Sequence, residues 1–171
     1  AFEGGAKVLF MRSAESADDY ASTDDVIMEV LKKYEEQGRT FGTFCCLYPT
    51  APFVTPQKLQ KAMELLQTAD SVMPVVAFSY PPQRCVIVNG QGELRMKWPE
   101  HAKSRSQDLE PYYHDCGQFY CCKTAPFMEY GTTDLPHTVP MFMKELEVQD
   151  IDNPGDWEIA ELKYRKVMGL A

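Results

Sequence analysis

Two carboxylates separated by a single residue stand late in the sequence, at Asp150 and Asp152. If this segment is a strand end, alternation places both on one face and Ile151 on the other. Mg²⁺ takes oxygen ligands and commonly uses one or two carboxylates together with substrate phosphates, so the spacing predicts a Mg²⁺ site. Two other interpretations stay open. Asp152 and Asn153 could cap the next helix, or an aspartate could be a hydrolase nucleophile, although such motifs usually follow a first strand.

A loop with two prolines, residues 47–53, leaves one apolar segment and enters a helical one. In open α/β sheets, ligands bind in the crevice at the carboxyl ends of the strands. The loop is therefore a candidate ligand-binding element that contains Tyr48 and Thr50. A proline-stiffened connection without a ligand is an equally good interpretation.

A cation and two hydroxyls near the start of the chain could bind phosphate. Arg12 follows an apolar segment at residues 7–11, and Ser22 and Thr23 stand at the predicted start of a helix. A guanidinium, a hydroxyl and the positive end of a helix all favour an anion. The alternative, a surface arginine beside an ordinary helix cap, is favoured by these residues alone.

Aromatic and hydrogen-bonding side chains are concentrated at residues 105–108 and 112–120. Such groups suit a polyhydroxylated acid, and they equally suit a dimer interface. His101, His114 and His137 have neither the spacing of metal ligands nor the setting of a catalytic triad. We interpret these histidines as ordinary residues.

Composition and charge limit the classes of function. The formal net charge of −8 argues against a nucleic-acid partner. No apolar run approaches the ~20 residues needed to span a bilayer. The six cysteines include two adjacent pairs and lack C-x-x-C spacing, which predicts structural, reduced thiols in a cytoplasmic protein.

The elements that must position these residues alternate between strand and helix patterns in the first half of the chain. Strands are predicted at residues 7–11, 40–48 and 71–78. The second of these is nearly continuously apolar, as in a buried strand of a parallel sheet. Alternation of strands with helices predicts an α/β fold with crossover connections.

Three helix starts carry capping signals. Residues 22–25 form a capping box, Thr55-Pro56 places a cap before a proline at the first helical position, and Asn153-Pro154 does the same for the last helix. Between these helices, residues 79–130 break the alternation with prolines, aromatics and a hairpin signal at Asn89-Gly90. We interpret this region as an insertion in a single domain spanning residues 1–171.

Taken in order, these segments resemble the acylneuraminate cytidylyltransferase family. Its pattern has a strand ending in Arg-Pro, a Ser/Thr-capped helix, Leu-Gln-Pro-Thr-Ser-Pro-Leu-Arg, Arg-x-Gln-Asp, Asn-Gly-x-x-Tyr and a late Asp-x-Asp-x-Pro. This sequence has Leu-Tyr-Pro-Thr-Ala-Pro-Phe at 47–53, Arg-Ser-Gln-Asp at 105–108, His-Asp-Cys-Gly-Gln-Phe-Tyr at 114–120 and Gln-Asp-Ile-Asp-Asn-Pro at 149–154. That variant is most similar to the branch of the family that uses pseudaminic acid.

The resemblance implies a Rossmann-like nucleotidyltransferase domain with a β-rich dimerisation insertion, converting CTP and a 2-keto sugar acid into a CMP-sugar and pyrophosphate. By position, it implies nucleotide contacts at Arg12, Ser22 and Thr23. It also implies that Asp150 and Asp152 are catalytic and bind Mg²⁺. The residues that it implies around the sugar acid are Tyr48, Thr50, Arg105, Gln107, Cys116 and Tyr120.

Two departures from the family bear on the acceptor. Tyr48 stands where the family has glutamine, and Cys116 stands where it has asparagine. Loss of a buried amide changes which substituents a polar pocket can satisfy, which disfavours N-acetylneuraminate. The alternatives are transferases for N-acetylneuraminate, legionaminate or 3-deoxy-manno-octulosonate, and a catalytically silent binding protein.

The family's first strand and glycine-rich triphosphate loop have no counterpart in this sequence. We interpret the chain as truncated at its N-terminus, and we expect these residues alone to give no turnover. The expected assembly is a homodimer formed through the insertion. The resemblance implies that Arg105 reaches the active site of the second copy.

Overall fold

The structure is a computed structural model that describes residue 3, residues 5–18 and residues 20–170. The chain divides into two compact units. Unit 1 comprises residues 1–47, 56–72 and 120–139, and unit 2 comprises residues 48–55, 73–119 and 140–171.

The described residues combine helices and strands, which confirms the predicted α/β class, although β2 to β6 follow one another without an α-helix between them. The helices are α1 (Thr23–Glu36), α2 (Pro56–Leu65), α3 (Thr124–Tyr130) and α4 (Pro154–Met168). The strands are β1 (Thr43–Leu47), β2 (Ser71–Ala77), β3 (Val86–Val88), β4 (Leu94–Met96), β5 (Tyr113–Asp115), β6 (Phe119–Lys123) and β7 (Thr138–Phe142). None of the helices in this part of the chain has the length and apolarity to cross a membrane.

Helix α1 in unit 1 begins where its capping box predicts. The Ser22 hydroxyl accepts a hydrogen bond from Asp25 N at 3.1 Å, and the Asp25 carboxylate accepts one from Ser22 N at 3.0 Å. Ile27 and Leu31, one turn apart, are buried against Phe127. This face is the apolar stripe expected of a helix that packs on a sheet.

Strand β1 differs from its prediction. It lies at one end of the strand order β1-β6-β2. Its residues alternate between exposed and half-buried, so the predicted buried strand of a parallel sheet is wrong. Backbone hydrogen bonds from Thr124 N to Gly42 O at 3.0 Å and from Tyr48 N to Gln118 O at 2.9 Å make β1 antiparallel to β6.

Strand β2 confirms the strand predicted at residues 71–78. In unit 1 it pairs antiparallel with β6, and Ser71 lies opposite Cys122. In unit 2 it pairs antiparallel with β5, and Val75 lies opposite Asp115. Met143 N also donates to Val75 O at 2.8 Å, just beyond the end of β7.

Residues 7–11 form no strand, so that prediction is wrong. Their apolar side chains are used differently, in packing against α1. The Phe10 ring meets Tyr34 edge-on at 5.2 Å, and Lys33 Nζ donates to Met11 O at 2.9 Å. These contacts hold the segment on the helix without a strand partner among the described residues.

The hairpin signal at Asn89-Gly90 is confirmed by the antiparallel pair β3–β4. The turn is longer than two residues, because Asn89 N donates to Glu93 O at 2.9 Å. The Asn89 side-chain oxygen accepts from the backbone of Gln91 and Glu93, which organises the loop. The left-handed residue is therefore Gly92, with φ of 79°, and not Gly90.

Helix α4 in unit 2 also begins where its cap predicts. Asn153 accepts from the backbone of Gly155 and Asp156, and Pro154 occupies the first turn. Ala160 is buried, whereas Trp157 is 62% exposed. The apolar face predicted for this helix is therefore only partly covered in the described structure.

Candidate active site

The two predicted metal ligands lie in a loop between a short 3-10 turn (Glu145–Glu147) and α4. We call residues 148–152 the carboxylate loop; it is not a strand, so the predicted strand end is wrong. The predicted alternation of side-chain exposure is partly present, because Asp150 and Asp152 are exposed while Ile151 is half-buried. No described residue donates a hydrogen bond to either carboxylate side chain, so both can accept a ligand.

The hydrogen bonds at the start of α4 show which side chains cap this helix, the alternative role considered for Asp152 and Asn153. Asn153 Oδ1 accepts from Gly155 N at 2.9 Å and from Asp156 N at 3.2 Å. The Asp156 carboxylate in turn accepts hydrogen bonds from Asn153 N and from Asp152 N. Capping is thus carried by the side chains of Asn153 and Asp156, and the Asp152 carboxylate takes no part.

The carboxylate loop is anchored at its start from two directions. Lys163 Nζ, on α4, donates to Val148 O at 2.7 Å and to Gln149 Oε1 at 3.1 Å. Gln118 Nε2 donates to Glu147 O at 2.7 Å. Because Gln118 is buried and Lys163 half-buried, these bonds are shielded from water and fix the backbone that carries Asp150.

Gly117 makes room for Asp150. Its φ is 60°, and a Cβ placed on it would lie 3.2 Å from Asp150 Oδ1. Its N–H donates to Asp115 Oδ1 at 2.9 Å, which holds the tight turn. Both the backbone conformation and the close approach therefore require glycine.

Asp150 lies at the edge of a cleft of about 270 Å³ in unit 2, which we call the carboxylate cleft. His114 lies in it and packs on Phe78 with ring centroids 4.8 Å apart. His114 Nδ1 donates to Asp115 O at 2.8 Å, so Nε2 is the ring nitrogen left for a ligand. The polar residues lining this cleft are Ser79, His114, Glu145, Gln149, Asp150 and Lys163.

Sequence reasoning did not single out Lys163, and it treated His114 as an ordinary residue. Lys163 belongs to no motif, and only the packing of α4 brings its ammonium group to the loop that precedes it. His114 lacks a ligand-spaced partner in sequence, and the β2–β5 pairing, in which it faces Val76, places it in the cleft. Neither position carries a local signal in the sequence.

Residues 49–52 of the loop with two prolines line, together with α4, a second cleft of unit 2, of about 370 Å³, which we call the helix cleft. Thr50 lines it together with Ile151 of the carboxylate loop. Its walls include the side chains of Trp157 and Tyr164, so it is largely apolar and suits a flat group. The sequence-predicted crevice beside residues 47–53 therefore exists. Tyr48, which belongs to the same loop, is half-buried.

Arg105 and Gln107 lie elsewhere in unit 2. The Arg105 guanidinium binds the Asp108 carboxylate through two hydrogen bonds, at 2.7 and 3.1 Å, and remains 71% exposed. Gln107 lines a third cleft, whose wall at Phe78 and Ser79 also borders the carboxylate cleft. Gln107 is therefore connected to the carboxylate cleft through that shared wall, whereas Arg105 lines neither cleft.

Cys116 and Tyr120 do not stand at a ligand-accessible surface. Cys116 is fully buried in a hydrophobic cluster with Val76 and Val148. Tyr120, in unit 1, is 6% exposed. The expectation that Cys116 lines the sugar-acid pocket is not met, because a thiol packed among aliphatic side chains cannot touch a ligand.

The predicted nucleotide residues Arg12, Ser22 and Thr23 lie in unit 1. Arg12 is exposed, but the Ser22 hydroxyl is occupied by Asp25, to whose carboxylate it donates at 2.6 Å. That hydrogen bond lowers the pKa of Asp25, so the carboxylate is ionised near neutral pH. With Asp24 beside it, the first turn of α1 carries two carboxylates, whose charge opposes the binding of an anion there.

The donor set of the carboxylate loop fits Mg²⁺. Among the residues that the structure describes, no group of three or more His, Cys, Asp and Glu side chains could hold a metal. Zinc and calcium need larger protein ligand sets, whereas Mg²⁺ keeps several waters and takes one or two carboxylates together with phosphates. Asp150 and Asp152 offer that smaller set.

Comparison with known proteins gives relatives that are longer than this chain, which covers about 70% of the length of the two described here. The chain is 33% identical over 167 residues to pseudaminic acid cytidylyltransferase of Campylobacter jejuni, an alignment covering 96% of this chain and 72% of the relative. It is 30% identical over 169 residues to CMP-N,N'-diacetyllegionaminic acid synthase of Legionella pneumophila, covering 94% and 70%. No family model matches the chain.

A solved structure of CMP:2-keto-3-deoxy-manno-octonic acid synthetase complexed with CTP superposes with a TM-score of 0.49 at 14% identity. That superposition covers 88% of this chain and 70% of the solved one.

Proposed function

Because the chain belongs to the acylneuraminate cytidylyltransferase family, we propose that it transfers CMP from CTP to pseudaminic acid and releases pyrophosphate. The observation that carries this proposal is the 33% identity, across 96% of the chain, with a pseudaminic acid cytidylyltransferase. A second candidate acceptor is N,N'-diacetyllegionaminic acid, supported by 30% identity with the synthase of its CMP derivative.

The reaction joins the anomeric hydroxyl oxygen of the sugar acid to the α-phosphorus of CTP. The bond from that phosphorus to the bridging oxygen breaks, the hydroxyl proton is lost, and pyrophosphate leaves. Asp150 and Asp152 would hold Mg²⁺, which when bound supplies neutralising charge for the phosphates. The chain's own task is therefore positioning and electrostatic stabilisation.

The anchored carboxylate loop performs that positioning. Lys163 and Gln118 fix the backbone at its start, so Asp150 need not be ordered when a ligand arrives. The Lys163 ammonium group also lines the carboxylate cleft, where its charge offsets that of Asp150. Glu145 lines the cleft as well, so Lys163 is the cationic group there that would bind an anionic sugar acid.

Acceptor preference rests on Tyr48. It replaces a glutamine that can both donate and accept hydrogen bonds, and its ring presents an apolar face with a single hydroxyl. Pseudaminic acid lacks the terminal hydroxyl of sialic acid and carries a second acylamino group, so it is less polar at the substituents by which the two acids differ. One unsatisfied polar contact in a buried site costs about 1–3 kcal/mol, which corresponds to roughly 5- to 150-fold in kcat/KM.

The test is a competition between acceptors at equal concentration, with CTP and Mg²⁺, in the complete gene product. We expect kcat/KM for pseudaminic acid to exceed that for N-acetylneuraminic acid by at least about tenfold. Tyr48→Gln should narrow this ratio, while Tyr20→Gln, a change of a tyrosine that is 93% exposed and lines none of the three clefts, should leave it unchanged. Equal use of both acids would refute the assignment of the acceptor, and turnover of legionaminic acid alone would favour the second candidate.

We further propose a homodimer formed through residues 79–130. The supporting feature is the β3–β4 hairpin, whose aliphatic side chains are exposed: Val86, Ile87, Val88 and Leu94 are 48–69% accessible. Apolar side chains grouped on a surface are typical of an interface.

A cytoplasmic location is also a proposal; it is supported by the cysteines, none of which is in a disulfide.

A further inference from the structure

Cys45 of β1 and Cys121 of β6 lie directly opposite each other. The register follows from the backbone hydrogen bonds that flank the antiparallel pair, Thr124 N to Gly42 O and Tyr48 N to Gln118 O. Cys45 is three residues after Gly42, and Cys121 is three residues before Thr124. Counting three residues inward from Tyr48 and Gln118 reaches the same two cysteines.

The pair occupies the position type that brings side chains closest. In antiparallel sheets, hydrogen-bonded pairs alternate with non-hydrogen-bonded pairs, and the latter have Cα atoms only ~4.5 Å apart. Because both flanking pairs are hydrogen-bonded and lie an odd number of residues away, Cys45 and Cys121 form a non-hydrogen-bonded pair. A disulfide spans Cα distances of about 4.4–6.8 Å, so the two strands need not move apart or together to accommodate one.

The two thiols differ in access and in acidity. Cys45 is exposed and Cys121 is buried. A hydrogen bond between the two thiols lowers the pKa of Cys45 and raises the pKa of Cys121. Cys45 is therefore the accessible thiol with more thiolate character, and Cys121 is the protonated thiol held beside it.

We propose that Cys45 and Cys121 form a modification site at which a hydroperoxide drives formation of a reversible cross-strand disulfide. The Cys45 thiolate attacks the peroxide oxygen; the O–O bond breaks, and sulfur becomes a sulfenic acid. The Cys121 sulfur then attacks Cys45 sulfur, forming the S–S bond, and hydroxide leaves with the Cys121 proton as water. Two thiols lose two electrons, and one hydroperoxide is reduced to an alcohol, or to water, with a further water formed.

The neighbouring cysteines, Cys46 and Cys122, lie on the opposite faces of their strands and take no part in this reaction. Cys46 points to the opposite face of β1 and packs against the cluster of Ile27 and Leu31. Cys122 likewise points away from Cys121 and lies 3.4 Å from the Ser71 hydroxyl. The site is therefore a specific pair, although four cysteines are close in sequence and in space.

The test is oxidation of the folded chain with a small excess of hydrogen peroxide, followed by thiol blocking and non-reducing tryptic mapping. Trypsin releases Cys45 and Cys46 in residues 40–58, and Cys116, Cys121 and Cys122 in residues 106–123. We expect these two peptides to become linked, with the loss of two hydrogens, and a dithiol to separate them again.

Variants with one cysteine replaced identify which two cysteines form the disulfide. Cys45→Ser changes an exposed residue and should abolish the linked peptide, whereas Cys46→Ser and Cys122→Ser should leave it unchanged. Cys121→Ser should leave Cys45 as a sulfenic acid that a dimedone probe captures. A link that survives Cys45→Ser, a bond between Cys45 and Cys46, or no link after Cys45 has reacted would each overturn the proposal. Because no step uses CTP or a sugar acid, this outcome is independent of the proposed transferase activity.

Discussion

Substitution of Gly117 by alanine tests whether the carboxylate loop works as described. At φ of 60°, an alanine costs about 1–2 kcal/mol from the left-handed backbone alone. The added Cβ would also lie 3.2 Å from Asp150 Oδ1, closer than an ordinary van der Waals contact. Because Asp150 is exposed, its carboxylate can rotate away from the added Cβ. The substitution should therefore displace a metal ligand, and it should strain the core little.

Gly92→Ala is the matched control. Gly92 also has a left-handed backbone, with φ of 79°, but a Cβ there would meet nothing within 4 Å. Both variants should lose about 1–2 kcal/mol of unfolding free energy, with a fall in Tm of about 2–4 °C for each kcal/mol. Urea unfolding and thermal melts of the two proteins measure this shared backbone cost.

Only Gly117→Ala should change metal dependence. Displacing one of two carboxylate ligands should raise the half-saturating Mg²⁺ concentration for CMP transfer by at least about tenfold, equivalent to ~1.4 kcal/mol. Gly92→Ala should follow the wild-type Mg²⁺ titration once both are fully folded. Identical titrations for the two variants would mean that Asp150 does not hold the metal, and the proposed role of the loop would fail.

Three further predictions concern other features. Asp150→Asn and Asp152→Asn should each abolish Mg²⁺-dependent CMP transfer while leaving the circular dichroism spectrum unchanged, and near-wild-type turnover in either would remove the metal assignment. Bonds from Lys33, and then from Ser16 and Ser13, lower the pKa of Glu29 from 4.5 to about 2, so its contribution to stability is present above about pH 4.5 and disappears toward pH 2. Urea midpoints should therefore separate wild type from Glu29→Gln at pH 7 and converge near pH 2; a constant gap would contradict this. Static light scattering at micromolar concentration should give the mass of a dimer formed through residues 79–130, and a monomer would exclude it.

Helix boundaries were the most predictable part of the fold, because caps are local. The capping boxes at Ser22 and Asn153 set the starts of α1 and α4 within one residue of their predictions. Strand context was less predictable. The apolar run containing β1 indicated burial on both faces, but burial depends on the neighbours of a strand, and those are 70 or more residues away along the chain.

The candidate site was predictable where motifs are short and local. Asp150, Asp152 and Thr50 could be selected from spacing and from the family resemblance. The burial of Cys116 and the anchoring by Lys163 could not, because both depend on packing against Val148 and the carboxylate loop. The acids at Asp24 and Asp25 were visible in sequence, and their charge should have weakened the predicted phosphate site.

The β3–β4 hairpin has a consequence for the order in which the chain folds. Its strand pairs join residues only 6–10 positions apart, and Asn89 closes the loop with its own side chain. Hairpins of this kind form in about 1–10 μs, whereas pairing Val75 with Asp115 must close a loop of 40 residues. The hairpin can therefore form and dissolve many times before β2 meets β5. A two-stranded hairpin is only marginally stable in water, so its amide hydrogens should exchange faster than those of β2 in the native protein.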